Sequence, residues 1–99
     1  MEKAILVGLC LGSERDFEHS MEELAELAAA CELEVVGEIT QHAAAVNKAF
    51  YIGTGKVEQV FLLSEETKAD LIIFDNALSP MQLRNLQQKL HMPIMDRTT

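Results

Sequence analysis

Ala4-Ile5-Leu6-Val7-Gly8-Leu9-Cys10 is apolar from end to end. A strand with one wet face alternates apolar and polar residues, and a strand covered on both faces does not. The run therefore predicts a strand inside a parallel sheet. Asp70-Leu71-Ile72-Ile73-Phe74-Asp75 predicts a second buried strand of the same kind. Glu34 to Gln41 alternates imperfectly, with Val35, Gly37 and Ile39 on one face and Val36, Glu38 and Thr40 on the other. It is expected nearer a sheet edge. Pro93-Ile94-Met95-Asp96 has the length of a short fourth strand.

Helical periodicity fills the intervals. Gly12 and Ser13 break the first run, and Ser13 with Asp16 resembles a capping box. The helix that follows runs to about Ala30. Phe17, Met21, Leu24, Ala28 and Cys31 form its inward stripe, and Glu18, Glu22 and Glu26 read as a solvated face. A second helix is expected over 55–68, with Val57, Val60, Phe61 and Ser64 inward and Leu62 opposite them. Ser79-Pro80 starts a third, over 80–91, because serine caps well and proline fits the first turn. Leu83, Leu86 and Leu90 point inward there; Met81, Arg84, Asn85 and Gln88 share the outer face. Residues 42–50 show no period and read as a loop with freedom to move.

The order β-α-β-α-β-α-β implies an α/β fold: a small four-stranded parallel sheet with flanking helices and right-handed crossovers, one domain over residues 1–99. Strand order 2-1-3-4 centres the two most apolar strands. The Cys10–Ser13 and Asp75–Ser79 loops would then line the crevice where such sheets bind ligands.

Composition narrows the function. The net charge of −8, from 16 acids and 8 bases, excludes a bulk polyanion binder and leaves only local contacts with nucleic acid. Glu2 and Lys3 lead into a short apolar run with no cleavage site after it, and no stretch nears the length of a membrane span. A cytoplasmic protein with no membrane partner is expected. The chain stops at Arg97-Thr98-Thr99 without a capping element, which reads as a cut. Cys10 and Cys31 fall at opposite ends of the predicted sheet, too far apart for a disulfide, and are expected as buried thiols. His19, His42 and His91 stand singly, so no metal site is expected.

The candidate site is Phe50-Tyr51-Ile52-Gly53-Thr54-Gly55-Lys56-Val57. Its glycines are expected to turn the backbone through positive φ and bare the amides of a helix start, where an anion can sit. Gly53, Gly55 and Lys56 are the nucleotide- or anion-binding candidates; the alternative is a tight turn with Lys56 in solvent. The spacing is neither G-x-x-x-x-G-K-[ST] nor G-x-G-x-x-G, and Val57 stands where a Mg²⁺-binding hydroxyl belongs, so no triphosphatase is expected. Asp75 is the best acid/base candidate and Cys10 the best nucleophile. Neither has a partner in sequence, and no catalytic residue is assigned.

Together these blocks resemble the N-terminal domain of the HflX family of ribosome-associated GTPases. The resemblance rests on Ala4–Gly8, Phe17–Leu24, Val35–Gln41, Tyr51–Glu58, Asp70–Asn76, Leu78–Leu86 and Asp96-Arg97-Thr98. It implies a GTPase domain with GTP and Mg²⁺ elsewhere in a longer parent, and no catalysis or cofactor in this stretch. It also implies the large ribosomal subunit and its rRNA as partner, together with the parent's own GTPase domain, which Leu62 could meet. Gly53, Gly55, Lys56, Arg84 and Asn85 are the positions it marks, the last two for ribosome or domain contact. Many members carry basic residues, and often proline, before Tyr-Ile-Gly; here His42-Ala43-Ala44-Ala45-Val46 is neutral. Contact with rRNA would rest on Lys48, Lys56 and Arg84, or on the missing domains.

Overall fold

The computed structural model describes residues 1–98. Its elements are β1 (Lys3–Cys10), α1 (Glu14–Ala30), β2 (Glu34–His42), α2 (Thr54–Thr67), β3 (Leu71–Phe74), α3 (Pro80–Leu90) and β4 (Ile94–Asp96). The strands form one parallel sheet in the order β2-β1-β3-β4. This is the expected α/β architecture, with the two apolar strands central.

Alternation along β1 divides two cores. Ile5, Val7 and Leu9 join Ile72, Phe74 and Ile94 under α2 and α3, with Val57, Val60, Leu86 and Leu90 packed on them. Ala4 and Leu6 join Leu71 and Ile73 on the other face, under Met21, Leu24 and Ala28 of α1. Each fully buried large aliphatic or aromatic side chain contributes about 1.5–3 kcal/mol. Gly8 lies on the α1 face. A Cβ there would stand 2.5 Å from Met21 Sδ and 2.9 Å from the Phe17 ring, so glycine is what lets α1 lie close to β1.

Caps set the helix starts. Ser13 Oγ accepts from Asp16 N over a long 3.4 Å. α3 has a complete box: Ser79 Oγ accepts from Gln82 N at 3.1 Å, and Gln82 Oε1 accepts from Ser79 N at 2.9 Å. Lys68 and His91 end α2 and α3 in the left-handed conformation, with φ 57° at both.

Two expectations about α1 are corrected. Cys31 is exposed, because the buried stripe ends at Ala28 and Cys31 caps the helix beyond it; Cys10 is buried, and both thiols are free. Phe17 is only partly buried, at the margin of the α1-side core, with its ring edge-on to His42 at the end of β2. Leu62 is exposed, as its helical position predicts. No helix among the described residues is long and apolar enough to cross a membrane.

Candidate functional site

All four strands end at the same edge, and α2 and α3 start there. Gln41, near the end of β2, fixes the Gly53 turn by accepting from Gly53 N through Oε1 at 2.9 Å. The Gly-Thr-Gly-Lys turn thus belongs to the carboxyl edge of the sheet.

The loop leading to it is tied down, against the expectation of a mobile connector. Asn47 Oδ1 accepts from both Ala49 N and Phe50 N at 2.9 Å. Asn47 and Tyr51 exchange two backbone hydrogen bonds, of 3.0 and 2.9 Å. Gln82 Nε2 donates to Asn47 O, and Asn85 Nδ2 donates to Ala49 O, each at 3.0 Å. A loop polar at few side chains hides this, because the bonds fall on its backbone.

The glycines do not carry the turn. No described glycine has positive φ; Tyr51 does, at 67°. The reversal at Tyr51 buries its ring against Phe74, edge-on with centroids 6.4 Å apart, and the Asn47 pairing holds the strained backbone. Burial, and then the charge of Asp75, push the Tyr51 hydroxyl above its ordinary pKa. Gly53 is the extended N-cap of α2, and a Cβ there would lie 3.0 Å from Gln41 Nε2. Gly55, inside the first turn, has no atom within 4 Å of where its Cβ would be. No side chain caps α2. Lys56 Nζ reaches along the helix to Gln59 Oε1, at 3.3 Å.

Arg84 is exposed on α3, whereas Asn85 is half-buried by its bond to the loop. The loop that precedes the turn is therefore bonded to α3 through Asn47 and Ala49. The joined segments, 43–57 and 76–95, contain no acid and carry Lys48, Lys56, Arg84 and Lys89. Phe50, Asn85, Gln88 and Lys89 line a shallow surface recess between them. Residues 1–42 hold ten acids against two bases, a net of −8, while 43–99 hold six of each. The whole charge imbalance thus belongs to the β1-α1-β2 half.

On the α1 side of the same edge Asp75 is engaged rather than poised for catalysis. Its Oδ1 accepts from Arg97 Nη2 at 2.6 Å and Nε at 2.9 Å, and its Oδ2 accepts from Ser20 Oγ at 2.8 Å. Arg97 Nη2 also donates to Ser20 O at 2.7 Å. Asp96 Oδ2 accepts from Leu78 N at 2.8 Å. The Asp96-Arg97-Thr98 block is thus a clasp joining β4, the end of β3 and α1. Ser20, Gln82 and Arg97 were not among the residues singled out from sequence. Gln82 had a local signal in Ser79-x-x-Gln82; Ser20 and Arg97, separated by 77 positions, had none.

These residues do not form a triphosphate loop of the kind that holds Mg²⁺. The turn lacks the spacing and hydroxyl of a triphosphate loop, and the described residues hold no cluster of metal-ligating side chains.

Residues 18–99 match the family model described as GTP-binding GTPase N-terminal. The chain is 42% identical over 99 residues to a GTPase HflX of Alkalihalophilus pseudofirmus, covering 99% of this chain and 23% of the relative. It is 31% identical over 97 residues to the Escherichia coli GTPase HflX, covering 98% and 22%. The chain thus spans under a quarter of the length of these relatives. Among solved structures it resembles a GTP-binding protein from Sulfolobus solfataricus in complex with GDP, with TM-score 0.71 and 22% identity, covering 98% of this chain and 28% of that one. It also resembles the catalytic domain of an IS607-like serine recombinase, with TM-score 0.68 and 18% identity, covering 96% and 68%. At these identities the structural likeness speaks for the fold alone.

Proposed function

Because the chain belongs to the HflX family of GTPases as an N-terminal domain, we propose that it is the binding and positioning module of a GTP-hydrolysing protein that works on the large ribosomal subunit. GTP hydrolysis and its Mg²⁺ belong to the longer protein's GTPase domain, in the cytoplasm. The observation that carries the reading is the pair of acid-free segments, 43–57 and 76–95, pinned together at Asn47 and Ala49. An rRNA surface repels a domain of net charge −8 unless it meets a face from which carboxylates are missing. Lys48, Lys56 and Arg84 supply the cations of these segments, while Lys89 shares a recess with Glu58 of α2. Asn85 holds the loop in place for Arg84 to act beside it. The test is sedimentation of large subunits with the longer protein, with and without this domain, over a salt series. Loss of affinity and a shallower salt dependence on deletion support the reading; identical binding rejects it.

A second reading has its own observation. The first turn of α2 bares amides at the carboxyl edge, without a side-chain cap and without a Cβ at Gly55. Gly53, Gly55 and Lys56 would then bind a nucleotide phosphate. An amide NMR titration with ATP and GTP decides: shifts on these residues, lost in Lys56→Ala, support it, and silence at millimolar ligand rejects it.

A further inference from the structure

The other half of the molecule carries a feature that neither reading uses. α1 covers β1 and meets β2 through Glu14 and Phe17 at His42, and a groove of about 380 Å³ runs between α1 and β2. Its floor is apolar, from half-buried Phe17 and Ala25 over buried Met21, and its far wall is Glu38, Thr40 and His42 of β2, where His42 meets the Phe17 ring edge-on and lies 3.5 Å from Glu14. Val35, in register with Ala4 on this face, remains 38% exposed. Along the near rim stand Glu14, Glu18 and Glu22, one helical turn apart, about 6 Å in steps along the axis. Like charges at i and i+4 destabilise a helix, and no lysine or arginine of α1 answers this row at that spacing. A locally unfavourable pattern beside a half-covered apolar floor marks a surface shaped for something outside the domain.

We propose that this groove docks a cationic amphipathic helix of another polypeptide. Such a helix beside α1, at the usual 8–10 Å axis separation, would cover β2 as α1 covers β1. Lysines or arginines at i, i+4 and i+8 would face Glu14, Glu18 and Glu22, and an aliphatic residue between them would reach Met21 and Ala25. A second copy of this chain is a poor occupant: α1 carries Arg15 alone, α2 Lys56 alone, and α3 only Arg84 and Lys89, five residues apart.

The test is a ¹⁵N NMR titration of the 99-residue chain with a synthetic helix of about 18 residues bearing lysine at that spacing and leucine between. Shifts are expected on Phe17, Met21, Ala25 and Thr40, with Gly53 and Arg84 silent. Glu18→Gln with Glu22→Gln is expected to weaken binding roughly three- to tenfold at low salt. Ala25→Gln, which fills the floor and keeps the rim, is expected to weaken it at least as much. A scrambled peptide of equal charge that binds equally well, Ala25→Gln binding unchanged, or no shifts at millimolar peptide would each overturn the proposal. All three readouts concern the α1 side, so they stand apart from the fate of the ribosome and nucleotide readings.

Discussion

Arg97→Ala tests the clasp. The Asp75 side chain is 4% exposed and that of Arg97 28%. Removing the arginine leaves Asp75 Oδ1 without its two charged donors, and takes from Ser20 O the side-chain donor it has beyond the helix ladder. Stranding one member of a fully buried pair costs about 3–5 kcal/mol. Arg97 is partly wet, so solvent moderates the loss, and about 2–3 kcal/mol is expected. A domain of this size holds about 5–15 kcal/mol in all, so the variant forfeits a large share. Asp75→Asn should cost less, about 1–2 kcal/mol, because the amide oxygen still accepts and the freed guanidinium can reach water. Arg97→Lys should recover only part, since a point charge cannot serve both Asp75 and Ser20 O. Urea unfolding followed by far-UV circular dichroism at neutral pH gives all three values. An Arg97→Ala variant within about 0.5 kcal/mol of the parent, or an Asp75→Asn variant that is worse than Arg97→Ala, would refute the reasoning.

Other expectations follow from single positions. Gly8→Ala forces a methyl against Met21 and Phe17 and should destabilise by about 1–3 kcal/mol in the same urea assay, at the lower end if Phe17 yields toward solvent. Lys68→Gly, at an exposed left-handed helix end, should stabilise by about 0.5–1 kcal/mol and raise the melting temperature by several degrees. Tyr51 is the only tyrosine, so ultraviolet absorbance titrates it directly. Its folded pKa is raised, so the stability it contributes is complete below the unfolded value of about 10 and is lost as pH rises through the folded value. Tyr51→Phe should lack that alkaline loss, and equal melting curves for the two proteins up to high pH would contradict the assignment.

The sheet was legible because its evidence is local. An unbroken apolar run can only be covered on both faces, and two such runs between helices put β1 and β3 in the centre. Ser79-Pro80 declared the start of α3 for the same reason, since capping acts over three residues. The site was less legible because its decisive bonds span long separations. Nothing near Asn47 announces Gln82, 35 positions away, and nothing near Ser20 announces Arg97. The Gly-Thr-Gly-Lys stretch was located correctly as a helix start, yet the strained residue is Tyr51. Glycine permits positive φ but does not demand it, and tertiary burial of an aromatic ring decided where the chain reversed. Cys31 illustrates the remaining error: a period continued one turn too far passes beyond the helix and into water.

Under the function proposed above, the basic segments 43–57 and 76–95, and not the domain as a whole, meet the large ribosomal subunit. The most direct measurement is the salt dependence of subunit binding by the longer protein carrying Lys48→Ala with Arg84→Ala, set beside Glu22→Gln on the opposite half. The double variant is expected to bind more weakly, with a slope of log K against log salt that falls by about two, while Glu22→Gln changes neither. An unchanged slope in the double variant would contradict it.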